Sequence, residues 1–131
     1  MTSEISDSSN GKSVFVVEDD VIISRLLQHL FERRGYDVQI AGDGQAALKL
    51  IEVGETPALV VLDVMLPFMD GFELIDRIRR KPTWADVPII MLTSKSQEHN
   101  IVRALDAGAT DYVIKPFQPE ELMARVRRFI K

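Results

Sequence analysis

Five short apolar runs, each followed by a segment with helical spacing, restrict this chain to very few architectures. The runs are SVFVV (13–17), DVQIA (37–41), ALVVL (58–62), PIIML (88–92) and DYVIK (111–115). Four are rich in β-formers and nearly continuous, the pattern of strands covered on both faces, as in a parallel sheet. DVQIA alternates, in the manner of a half-buried strand.

The segments between them repeat at helical spacing. Ile22, Leu26 and Leu30 run beside Ile23, Leu27 and Phe31, which predicts a first helix with one wide apolar face, stopped at Gly35. Ala46, Ala47, Leu50 and Ile51 predict a second helix, ended by Gly54 and Pro57; Phe72, Leu74, Ile75 and Ile78 predict a third. Ile101, Val102 and Leu105 predict a fourth, stopped by Gly108. Leu122, Val126, Phe129 and Ile130 predict a fifth, running to Lys131. Pro119, Glu120 and Glu121 suit its first turn, and Arg127, Arg128 and Lys131 its last. A (βα) unit repeated five times predicts an α/β doubly wound sheet with helices on both faces. Residues 13–131 form this one domain, and the Ser-rich, polar residues 1–12 are expected to be a disordered tail.

Doubly wound sheets bind ligands beyond the carboxyl ends of their strands. The first run exits into Glu18, Asp19 and Asp20, the third into Asp63, the fourth into Thr93 and Ser94, and the fifth into Lys115 and Pro116. Singly, each has an ordinary explanation: Asp63 as a turn or cap residue, Glu18–Asp20 as a helix start, Thr93 as a cap, Lys115 as a solvated strand end. Asp20 can be that alone. Jointly, four suitable groups at four separate strand exits make a site. The chain has no cysteine, and oxygen-only ligands favour Mg²⁺, with Mn²⁺ able to replace it, over zinc. Carboxylates, a hard cation, a hydroxyl and an ammonium together fit phosphoryl chemistry, in which Asp63 could serve as nucleophile.

The ordered set VVEDD, VLDVMLPFMDGFELI, IIMLTS and GATDYVIKPF resembles the receiver domain of bacterial two-component response regulators over residues 13–131. The resemblance implies a flavodoxin-like fold with strand order 2-1-3-4-5. It implies Asp63 as phosphoacceptor, taking a phosphoryl group from a sensor histidine kinase or histidine phosphotransfer protein. Mg²⁺ would be held by Asp19, Asp63 and the Met65 backbone carbonyl directly, and by Glu18 through water. Thr93 would be the switch hydroxyl, Lys115 the phosphoryl-binding cation, Tyr112 the switch aromatic and Lys115–Pro116 a cis bond. Phosphorylation would remodel the face made by helix four, strand five and helix five, which controls a downstream protein target or effector domain. Met65 and Lys95 occupy the positions that tune phosphate lifetime. Catalysis would be confined to the domain's own Mg²⁺-dependent phosphorylation and dephosphorylation.

Receivers of the winged-helix subfamily pair through charged residues on that same face. Asp111, Glu121 and Arg125 match this pattern for a phosphorylation-dependent homodimer or partner face. Ile101 stands where a base is usual and Thr110 where an acid is usual, so the charge network is incomplete. Two functions follow: a stand-alone phosphorylation-gated module, or the receiver half of a DNA-binding regulator whose output domain is absent from this chain. A phosphatase of the same fold would need a second acid two residues after Asp63, where Met65 stands. With 20 acids against 16 bases and a net charge of −4, the surface is a poor match for direct nucleic-acid binding. The start has neither the basic residues nor the apolar core of a signal peptide, and no run spans a membrane; a cytoplasmic protein is expected. Trp84 is expected to plug local packing, and His29 and His99 to be surface histidines.

Overall fold

Runs that are apolar on both sides of the pleat can be satisfied only by a sheet covered twice. In the computed structural model, which describes residues 12–67, 69–94 and 99–130, they form β1 (Ser13–Val17), β2 (Asp37–Ala41), β3 (Leu59–Asp63), β4 (Ile89–Ser94) and β5 (Asp111–Lys115). All neighbouring strands pair in parallel, in the order β2-β1-β3-β4-β5. The helices are α1 (Val21–Glu32), α2 (Gly44–Val53), α3 (Gly71–Arg80), α4 (His99–Ala107) and α5 (Pro119–Val126).

Alternation along each strand divides the core. Phe15, Val17, Val60, Leu62, Ile89 and Met91 pack with residues of α2, α3 and α4. Val14, Val16, Leu59, Val61, Ile90, Leu92 and Val113 pack with α1 and α5. Trp84 closes the first of these layers as the packing plug expected, buried and edge-on to Phe15 at 6.0 Å between ring centroids. His29 and His99 are exposed.

Three details differ from the sequence reading. The apolar face of α1 is narrower than predicted: Leu27 and Phe31 are buried, whereas Ile22 is 81% exposed and Leu26 37%. A helix lying on a sheet buries a stripe of limited width, and two adjacent rows exceed it. Strand β4 runs to Ser94, so Thr93 and Ser94 are its last residues, paired with Ile114 and Lys115, rather than the loop after it. Helix α5 is regular only to Val126. Beyond it the bonding is mixed: Arg128 and Phe129 donate three residues back, to the carbonyls of Arg125 and Val126, and Arg127 and Ile130 four back, to those of Met123 and Val126. Residues 1–11 of the expected tail, Lys95 and Lys131 lie outside the described residues. Lys12 is within them, and its carbonyl accepts the Asp37 N–H at 3.1 Å beside the β1–β2 pairing.

Candidate functional site

Parallel strands bring their carboxyl ends to one edge, and there the chain gathers its acids. Glu18 follows β1 directly, its N–H donating to the Ala41 carbonyl at 3.1 Å, and its side chain is buried. Asp63 ends β3 and is also buried. Asp19 is exposed beside them. Carboxylate oxygens of Glu18, Asp19 and Asp63 lie within 4.8 Å of one another. Asp20 instead serves the helix that follows. Its Oδ1 accepts the N–H groups of Ile22 and Ile23 and caps α1.

Lys115 ties the cluster together from β5. Its Nζ donates to Asp63 Oδ2 at 2.8 Å and to Glu18 Oε1 at 3.1 Å. The other Asp63 oxygen, Oδ1, accepts the Met65 N–H at 3.0 Å, and Glu18 Oε2 accepts the Asp20 N–H at 3.1 Å. One ammonium thus faces two buried acids, and the electrostatics follow. Burial pushes the Glu18 carboxyl up to about 7, helped by its hydrogen bond and charge repulsion with Asp63 and opposed by the Asp20 N–H and Lys115. Burial works against the charged Lys115, yet hydrogen bonds and attraction from Asp63 and Glu18 outweigh it and raise its pKa. With Asp19 unpaired by the lysine and every donor an oxygen, the set suits a hard cation such as Mg²⁺. The Met65 carbonyl is adjacent in the chain, and the Met65 side chain is exposed.

Thr93 is buried near the end of β4, one residue beyond the Asp63–Leu92 pair of the neighbouring strand. Its hydroxyl donates to the Ser94 carbonyl at 3.4 Å, a long contact that costs little to exchange. Tyr112 is half-buried on β5. The Lys115–Pro116 bond is cis. Asp111, Glu121 and Arg125, singled out for a partner face, contact one another within the chain. Arg125 Nη1 donates to both Asp111 oxygens at 3.0 Å, Nη2 reaches Glu121 at 3.4 Å, and the guanidinium lies 5.9 Å from the Tyr112 ring centroid. Thr110, where an acid is usual, instead accepts the Ile89 N–H on its hydroxyl at 2.9 Å and completes the start of β4.

The loop after Asp63 is braced by contacts that sequence reasoning missed. Gly71 N–H donates to the Val64 carbonyl at 2.9 Å, and a Cβ on Gly71 would stand 2.7 Å from the Asp63 carbonyl oxygen. Gly44, at the start of α2, lies so close that a Cβ would overlap Met69. The sequence signal available was the glycine itself after a capping aspartate, in Asp70–Gly71 and Asp43–Gly44, where Asp70 and Asp43 cap α3 and α2.

A family model described as the response regulator receiver domain matches residues 14–127. The chain is 47% identical over 121 residues to the alkaline phosphatase synthesis transcriptional regulatory protein PhoP of Bacillus subtilis, covering 92% of this chain and 49% of that protein. Among solved structures, the chemotaxis response regulator CheY4 of Vibrio cholerae is similar with a TM-score of 0.84 and 30% identity, over 91% of this chain and 98% of that one. The receiver domain of a Pseudomonas aeruginosa sensor histidine kinase, solved with a magnesium ion coordinated in its active site cleft, gives a TM-score of 0.82 at 29% identity, over 91% and 97% of the two chains. The chain spans about half the length of the curated relatives it matches.

Proposed function

The chain belongs to the response regulator receiver domain family, and from that premise we propose that it is a phosphorylation-operated switch with Asp63 as its phosphoacceptor. Receiver domains are signalling modules that bind Mg²⁺ at an acidic pocket and interact with histidine kinases and downstream effectors. The observation that carries the proposal for this chain is the Lys115 ammonium bridging Asp63 and Glu18 beside Asp19.

Asp19, Asp63 and the Met65 carbonyl would hold Mg²⁺, with Glu18 through water; the ion supplies charge neutralisation for the incoming phosphoryl group. An Asp63 carboxylate oxygen attacks phosphorus in line while the bond to the donor imidazole breaks. Lys115, already at hydrogen-bond distance from Asp63, is placed to follow the negative charge onto the phosphoryl oxygens. Thr93 gives up its weak contact with Ser94 for a phosphoryl oxygen, and Tyr112 follows inward. The α4–β5–α5 face then presents a different surface to its target. The donor is a sensor histidine kinase or histidine phosphotransfer protein, and the site of action is the cytoplasm.

A second reading, the receiver half of a transcriptional regulator, is favoured by the match over about half of PhoP. In that case the Asp111–Arg125–Glu121 face would serve pairing of two receivers after phosphorylation.

The test is incubation with Mg²⁺ and a small acyl phosphate. One phosphoryl group per chain, held long enough to measure and lost on chelation of Mg²⁺ beforehand, is expected. Rapid multiple turnover of varied phosphate esters would sink the switch in favour of a phosphatase.

A further inference from the structure

Helix α4 has a built anchor at its C-terminal end. Along its length only Ala104 is buried, and Val102 and Leu105 face solvent. At its C-terminal end Gly108 adopts φ 120°, its N–H donating to the Leu105 carbonyl at 3.1 Å while the Ala109 N–H reaches back to that of Ala104 at 2.9 Å. This is the left-handed stop that glycine supplies at no steric cost.

Onto that stop lies Arg79, from the last turn of α3. Its Nε and Nη2 donate to the Gly108 carbonyl at 3.0 and 2.8 Å, and its Nη1 donates to the carbonyls of Ala85 and Val87 at 2.9 and 2.7 Å. The fit is close enough that a Cβ on Gly108 would stand 3.0 Å from Arg79 Cγ. Among the described residues, no carboxylate lies within ion-pair distance of this guanidinium. Its charge is half-buried and satisfied by three backbone carbonyls from two separate loops. Burial pushes its pKa down, offset in part by Asp86. Keeping a charge there is costly, and the rigid fork of donors is what only arginine provides.

Midway along α4, the exposed Arg103 rests its guanidinium over the Phe72 ring at 4.1 Å, a contact with little directional demand. At the start, residues 95–98 join the helix to Ser94 and hence to Thr93. A pull at Thr93 therefore acts on the end opposite the Arg79 clamp.

We propose that Arg79 is a positioning residue that fixes the Gly108 end of α4, so that switching at Thr93 swings the helix about Gly108 rather than sliding it along the sheet. The proposal rests on the reading of Asp63 as phosphoacceptor. It makes the output change graded along α4, small beside β5 and largest towards His99. It also makes the Arg79–Gly108 contact the hinge of a two-position element.

Amide hydrogen exchange on the full chain, before and after phosphorylation with a small acyl phosphate and Mg²⁺, tests it. Intact mass of the same samples gives the extent of labelling. In the native protein, exchange should change from His99 to Val102 and stay at its starting rates at Gly108 and Ala109. Arg79→Met keeps the aliphatic stem and removes the donors. It should label to the same extent, lose about tenfold protection at Gly108 and Ala109, and spread the phosphorylation response into them. Arg79→Lys should restore part of that protection. Equal responses at Gly108 and Ile101 in the native protein would overturn the pivot, and so would an unchanged profile in Arg79→Met. If Arg79→Met does not fold, the native profile alone decides. Absence of any label in the native protein would instead overturn the phosphoacceptor reading, and the pivot with it.

Discussion

At the scale of single residues, Glu18 is the group whose protonation the fold most disturbs. Its carboxyl pKa stands at about 7 against an ordinary 4.5, because burial and Asp63 both penalise the charged form. The folded chain therefore keeps a proton that the unfolded chain releases. Below pH 4.5 both states hold it; between pH 4.5 and 7 stability falls as pH rises, and above 7 the loss is complete. In metal-free protein the effect is on the order of a few kcal/mol. Urea melts with a chelator present should show this decline, and Glu18→Gln should flatten it; a native decline no steeper than that of Glu18→Gln would contradict the assignment. Gly71 is sensitive for a steric reason. A methyl there meets the Asp63 carbonyl oxygen at 2.7 Å and the Val64 Cα at 2.9 Å, so Gly71→Ala should cost about 1–3 kcal/mol and slow labelling by displacing Asp63. A thermal melt and a labelling time course on the same sample separate the two effects. Asp20 should behave oppositely. As the cap of α1, its replacement by Ala should cost about 1 kcal/mol and leave phosphoryl uptake intact.

Among the elements, what the sequence disclosed and what it hid divide along physical lines. Strand ends could be read because four of the apolar runs meet a charged or hydroxyl residue, and parallel order then places Glu18, Asp63, Thr93 and Lys115 on one edge without any knowledge of contacts. Periodicity says which residues share a helix face, but not how much of that face a sheet can cover. Hence Ile22 and Leu26 share a predicted apolar face with Leu27 and Phe31, yet lie outside. Close approaches are invisible for a related reason: a glycine's need for space depends on what packs against it, as at Gly71 and Gly44. Arg79 was hidden in a basic run, IRRK, where nothing distinguishes the one side chain that folds back onto backbone carbonyls. The end of α5 escaped because Ile130 remains buried although the regular helix has stopped, and periodicity does not separate a mixed last turn from a regular one.

Across the whole molecule, the Trp84 plug and the acidic edge occupy different regions. Trp84 fills the Phe15 side of the core, away from the acidic edge, as the chain's single tryptophan. Trp84→Ala should lower stability by about 3–5 kcal/mol, seen as an earlier denaturant midpoint, while the surviving folded fraction still takes up phosphate. The acidic edge carries the opposite burden: two buried acids share one lysine there, an arrangement whose desolvation cost makes it a poor contributor to folding. Thr93→Ala should label at Asp63 yet leave the exchange pattern of α4 unresponsive. The central claim is that Asp63 is the acceptor, and the direct measurement is transfer from a phosphohistidine donor followed by peptide mapping of the label. One phosphoryl group on the peptide containing Asp63, absent from Asp63→Asn, is the expected result; normal labelling of Asp63→Asn from the same donor would contradict it.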